Sequence, residues 1–335
     1  MRKLYLVYIF LLIAVYGYSQ KFHYPEEISK LIANSKLSYN VNAINKPIVC
    51  KEYSGRLNVN NFYRVSTATG LSTRPYTLNE KAKPIYDKAE AFFKTRNVDS
   101  ALMYYKLTLA ADSTIFNVMT YIGQIYEKRI DLDSAMFWYK KAISKNYIDY
   151  MAHWFLADAY LARNDMKNAV DEIVIARILN RNNPRLKESM INIFDKDQRN
   201  KEDWSFNPQV EIIKTADDKI TVSYNENWIH YAMVKALWAY EPGYRESMGG
   251  KKDQYSMLED QESLICMIFG QDIAKTQTKK DTQLTILKTA AQNKRLNEYI
   301  LYEILLPQNP IVAYQLPEKT ILSIKDYILS VRNTK

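Results

Sequence analysis

Side chains of matching size recur through the middle of this chain at a fixed interval of 34 residues. Ala101, Ala135 and Ala169 form one column, Ala89, Gly123 and Ala157 a second, and Phe92, Tyr126 and Tyr160 a third. Tyr105, Tyr139 and Ile173, then Thr108, Ala142 and Ala176, add two more. The segments NVDSALMYYKLTLAAD, DLDSAMFWYKKAISKN and DMKNAVDEIVIARILN align without a gap. A period of this length marks units that bury their apolar faces on one another, so about three or more must stack to be stable. Within each unit, apolar residues at three- and four-residue spacing predict two amphipathic helices, 82–95 and 98–111 in the first. Ala89 and Ala101 let the paired backbones approach, while Phe92 and Tyr105 fill the space between layers. The stretches Asn97 to Asp99 and Asp131 to Asp133 offer side-chain oxygens to cap the second helices.

The period and its columns resemble the tetratricopeptide repeat over 82–183, as units 82–115, 116–149 and 150–183. The chain departs from that pattern where Lys88 replaces the usual leucine and where no proline closes the first two units. The resemblance implies a mostly α fold, an α-solenoid of three helical hairpins. It also implies a concave groove, lined by the first helix of each unit, that holds an extended peptide or partner element. By register the groove positions are Lys83, Tyr86, Glu90 and Phe93, then Asn117, Thr120, Gln124 and Glu127, then Met151, Trp154, Asp158 and Leu161. Tyr86, Phe93, Trp154 and Leu161 are of the aromatic and apolar kind that anchors partners. The Lys- and Asn-rich clamp by which some relatives grip a terminal carboxylate has no counterpart, since Tyr86, Glu90 and Met151 stand there. One alternative keeps the groove filled by the chain's own flanks, 21–81 or 204–335.

The flanks read differently. Arg2 and Lys3, then thirteen apolar or aromatic residues from Leu4 to Tyr16, then Gly17-Tyr18-Ser19-Gln20 have the layout of a secretory signal peptide over 1–19. Thirteen residues fall short of the roughly 20 that span a bilayer. The segment resembles those of exported proteins from Bacteroidetes-type bacteria, so the expected location is periplasmic or extracellular, with no stable membrane insertion after cleavage. Residues 20–81 form a lead-in with a helix at 25–37 and strand-like pieces near 47–53 and 56–66. It either packs on the first repeat or adds a strand to the C-terminal domain. Pro184 opens a capping helix, followed by a polar linker to residue 203. Residues 204–335 lack the period and predict a small α or α+β domain. It contains a hairpin at 210–213 and 220–223 and helices at 226–240, 256–269, 282–306 and 318–331.

Chemical motifs are scarce. GxSxG, GxGxxG, GKS/T and HExxH do not occur, so α/β-hydrolase, dinucleotide, P-loop and metalloprotease chemistry lack support, and no cofactor is expected. Glu226 and His230 share a helical face, which suits two metal ligands or, equally, a histidine–carboxylate pair. Glu241, Glu246, Glu259 and Glu262 surround a glycine-containing loop; paired carboxylates of this kind do acid–base work in glycosidases. Cys50 and Cys266 either pair or remain buried thiols. The net charge of +9 is thinly spread: residues 20–80 carry +4, 81–183 +3 and 184–335 none. A nucleic-acid binder concentrates its charge, so that partner class is not expected. Eight glycines in 335 residues suit stacked helices. The functional expectation is a non-enzymatic exported scaffold that binds peptide or protein partners in the cell envelope. The alternative is a hydrolase-like site in 204–335 with the repeats as adaptor.

Overall fold

The computed structural model describes residues 22–49, 53, 57, 62–67, 70–274 and 281–335, with backbone alone at 226 and 271–274. The segment 1–19 and Cys50 lie outside the described residues. The chain forms two compact units, one of residues up to 51 and 205–300, the other of 52–204 and 301–335. One boundary between them falls after Trp204, past the capping helix and linker, and the last 35 residues join the repeats rather than the segment preceding them.

In chain order the elements begin with α1 (Pro25–Ala33), β1 (Ser38–Ala43), β2 (Phe62–Thr67) and β3 (Gly70–Pro75). The repeat helices follow: α2 (Lys83–Lys94), α3 (Val98–Ala111), α4 (Phe116–Lys128), α5 (Leu132–Lys145), α6 (Tyr150–Ala162) and α7 (Met166–Leu179), then α8 (Pro184–Lys196). Next come β4 (Val210–Ala216), β5 (Lys219–Tyr224), α9 (Ile229–Tyr240), α10 (Tyr244–Ser247) and α11 (Met257–Ala274). The last are α12 (Thr282–Gln292), α13 (Leu296–Tyr299, continued by a π-helical stretch Ile300–Leu305), α14 (Leu306–Gln308) and α15 (Glu318–Tyr327, continued by a π-helical stretch Ile328–Arg332).

The first of these units holds a three-stranded sheet in the order β1-β5-β4. β4 and β5 make the expected hairpin, and β1 adds to β5 in parallel, Tyr39 facing Ile220 and Val41 facing Val222. α9 covers the sheet through Ala232 and Ala236 on Ile220 and Val222. Its other side packs on α1 and α11 around Leu237, Trp238, Tyr244 and Cys266, so Cys266 is a buried thiol. The lead-in strands lie at 38–43, 62–67 and 70–75; the second overlaps the piece expected near 56–66, while 50–52, 54–56 and 58–61 lie outside the described residues. The expected helix 282–306 breaks after Gln292, where Lys294 takes φ 57°.

In the other unit, α2 to α7 form three helical hairpins with the tetratricopeptide register. Each second helix starts at a capping side chain: Asn97, Asp131 and Asp165 accept from the backbone N–H of Ser100, Ser134 and Asn168. Arg96, Ile130 and Asn164 make the turns with φ of 60°, 63° and 59°, and Gln198 after α8 repeats that geometry at the same 34-residue interval. α8 is therefore the first helix of a fourth, half-complete unit. Ala89, Ala101, Ala135, Ala157 and Ala169 are fully buried, as are Tyr105 and Tyr139. A Cβ on Gly123 would meet the Tyr139 ring at 2.4 Å, which is why that column needs its smallest member there. Between units, Arg129 pairs with Asp99 and Arg163 with Asp133, again one repeat apart.

Candidate partner groove

The first helices α2, α4 and α6 carry the twelve positions assigned by register, and α4 and α6 touch across their repeats. On α2, Lys83 is exposed and pairs with Asp87 at 2.9 Å. Tyr86 and Phe93 are half-buried and pack on the Tyr105 ring, with Phe93 also stacked on Tyr121. Glu90 accepts the Tyr105 hydroxyl at 2.6 Å. Lys128 places its ammonium 4.5 Å from the centre of the Phe93 ring.

On α4, two positions leave the accessible surface. Thr120 is 1% exposed and donates its hydroxyl to Asp149 at 2.7 Å. Asn117 is 9% exposed. Register locates a face but not a depth, so these two are packing residues. Gln124 and Glu127 are half-buried, and Glu127 accepts the Tyr139 hydroxyl. Burial pushes the Glu127 carboxyl up, and the Tyr139 hydroxyl only partly offsets this.

On α6, Met151, Trp154, Asp158 and Leu161 are half-buried. Trp154 stacks on Phe155 and donates its indole N–H to Ser189 of α8 at 2.9 Å, so the half unit fixes this ring. Burial first, and the nearby Glu127 carboxylate second, push the Asp158 carboxyl up to about 7. Glu127 and Asp158, from neighbouring repeats, thus lie close in the groove with the Tyr139 hydroxyl beside them.

Behind the groove, His153 is buried with Nδ1 2.6 Å from Glu172 and Nε2 2.9 Å from the Tyr147 carbonyl, a position inside the packing. In the unit containing the sheet, Glu262 is buried and receives the Trp238 indole N–H at 2.6 Å, the Tyr244 hydroxyl at 3.1 Å and contacts from His23. Glu259 binds Lys235 and Arg245, and Glu241 accepts from Ser35 and Tyr39. Glu246 is exposed. The four carboxylates grouped in sequence are therefore divided among separate partners or solvent. His230 packs against Gly270, where a Cβ would meet its Nδ1 at 2.0 Å. Among the described residues no group of three or more His, Cys, Asp or Glu side chains gathers to hold a metal ion. Among them, too, no helix is long and apolar enough to cross a membrane.

The 34-residue register, the paired helices and the small-residue contacts between them are those of a tetratricopeptide-type α-solenoid. No family model and no curated protein matches the chain. Solved structures do. The first tetratricopeptide domain of Spaghetti (RPAP3), bound to an HSP90 peptide SRMEEVD, is 19% identical over 36% of this chain and 94% of its own, with a TM-score of 0.34. MamA AMB-1 is 19% identical over 36% of this chain and 68% of its own, at 0.31. A tetratricopeptide repeat protein from Parabacteroides merdae ATCC 43184 is 11% identical over 74% of this chain and 99% of its own, at 0.28. Superpositions this loose carry no statement about this chain; its own register and hairpins do.

Proposed function

We propose that this chain is an exported scaffold whose groove on α2, α4 and α6 holds a peptide or protein partner of the cell envelope, and that the bound segment carries Lys or Arg. The observation that supports this reading is the pair Glu127 and Asp158. Burial raises the cost of ionising both carboxyls and the Glu127 carboxylate adds to that of Asp158; a guanidinium or ammonium placed beside them relieves it. Tyr86, Phe93 and Trp154 supply flat surfaces for the stem of such a side chain. No enzymatic role is proposed.

The test is binding of fluorescent peptides of equal length, one Arg-bearing and one Glu-bearing, to the chain from residue 20 onward. The Arg peptide should bind tighter, lose about tenfold in affinity with Asp158→Asn, and bind more tightly as pH rises through 7. Equal binding of both peptides, or indifference to Asp158→Asn and Trp154→Ala together, would sink the groove assignment. Export is tested apart from this, by sequencing the N-terminus of the protein recovered from the envelope fraction; a start near Gln20 supports it.

A further inference from the structure

The second helices α3, α5 and α7 present an outer row at the 34-residue register: Met103 and Leu107, then Phe137 and Lys141, then Asp171 and Ile175. On α7 this row is covered. α15 packs along it, Lys325 reaches Asp171 at 3.0 Å, and Val174, Ile175 and Ile178 are buried. On α3 and α5 the same row is open: Met103 is 51%, Leu107 47% and Phe137 59% exposed. A single exposed apolar residue is ordinary, whereas three in register beside a covered row mark a surface that can be covered too.

The open row is basic. Lys140 and Lys141 stand where α7 has Val174 and Ile175. Lys141 places its ammonium 4.8 Å from the centre of the Trp138 ring and 5.8 Å from that of Phe137. Lys106 and Lys145 are exposed on the same two helices. The acidic residues within these helices, Asp99 and Asp133, are already paired with Arg129 and Arg163. A partner for this row therefore brings carboxylates and an apolar centre.

This chain carries such a surface itself. α15 buries Ile321, Ile324 and Tyr327 completely and exposes Glu318, Leu322 and Asp326, one turn apart along its other side. With Lys319 and Ser323 these residues line an open depression of about 470 Å³. An acidic, apolar, acidic row with a depression thus matches a lysine-framed row with a projecting ring, in sign and in shape. Within one chain α15 is held against α7 by its buried side, so the match is made between copies.

We propose that the Glu318, Leu322 and Asp326 row of one copy docks on the Phe137 and Lys141 row of a second copy. The Phe137 ring enters the depression on α15, and Lys140 and Lys141 meet the carboxylates. The contact joins two different surfaces, so each pair of copies keeps one acidic and one basic row to offer, and copies add head to tail. Both rows are small and exposed, so the assembly is weak and sensitive to salt. It does not rest on the groove of α2, α4 and α6.

The test is analytical ultracentrifugation of the chain from residue 20 onward. Its average mass should rise with concentration past twice that of the monomer and fall as salt is added. Phe137→Ser and Leu322→Ser each remove one half of the contact at an exposed position, so each variant alone should be monomeric. Mixed in equal amounts, the two variants retain one sound pair of rows between them. The mixture should form dimers that grow no further, which two misfolded variants could not do. A chain that stays monomeric up to roughly 1 mM overturns the proposal. So does an unaltered chain that stops at two copies, an assembly that either substitution leaves intact, or a mixture that stays monomeric.

Discussion

Single residues set the close tolerances of the solenoid. Gly123 lies where a Cβ would come within 2.4, 2.6 and 3.0 Å of the buried Tyr139 ring. Alanine is usually the better helix former by about 1 kcal/mol, but overpacking a close-packed core costs about 1–3 kcal/mol. Gly123→Ala should therefore lower stability in urea unfolding, and a stabilised variant would contradict the packing. Ile130 is a β-branched residue held at φ 63° and 85% exposed. The same turn in the next unit uses Asn164, a residue that tolerates this conformation. Ile130→Asn should raise the unfolding free energy by about 0.5–1 kcal/mol, read from the urea midpoint. Asp158 gives a pH dependence. Its folded carboxyl sits near 7 against an ordinary 3.8, so the folded state holds a proton that the unfolded chain has released. The stability it contributes is full below about 4 and is lost as pH rises to 7. Asp158→Asn should flatten that slope and stabilise the protein at pH 8 by about 1 kcal/mol after allowance for solvent screening.

Elements were legible in the sequence where their reason was local. The 34-residue columns fixed the six repeat helices because burial, close approach and capping act within or between adjacent units. β1 (sequence SYNVNA) was not legible: two asparagines weaken its strand character, and its partner β5 lies about 180 residues away in a parallel ladder that no local turn announces. The break of 282–306 at Lys294 was hidden because a lysine, not a glycine or proline, takes the left-handed turn. The groove was located as a face, yet Thr120 was lost to Asp149, a distant cap that register does not see. Asp112, Asn146 and Asn180 did carry a signal, polar residues at the repeat spacing, but their partners Tyr76, Phe62 and Leu57 lie outside the repeat. Asp149 caps α6 and also takes the Thr120 hydroxyl, joining α4 to α6. Asp149→Ala should cost about 1–2 kcal/mol in thermal or urea unfolding, more than a cap serving its own helix alone.

At the scale of the molecule, the repeat unit is closed by charge as well as by packing. Arg332 is 1% exposed, bonds Glu303 at 2.8 Å and Asp203 at 3.2 Å, and lies over the Trp204 ring. Arg177 and Arg181 approach the same carboxylates from the end of α7. Burial, then Arg181 beside it, lowers the Arg177 guanidinium to about 10, and the three arginines hold the Asp203 carboxyl well below the usual range against its burial. Removing one member of such a network strands the others. Arg332→Met should lower stability by about 3–5 kcal/mol, and Glu303→Leu in addition should restore part of it, checked by urea unfolding of both variants.

Arg332 belongs to the same unit as the repeat helices, the first of which begins at residue 83. During synthesis the repeats emerge early and then wait: residues 205–300, which belong to the other unit, must pass before the closing segment exists. That other unit waits in the opposite sense, since β1 is made long before the β5 strand it joins. Each unit thus needs residues made long after its first ones, and neither folds as one continuous stretch of chain.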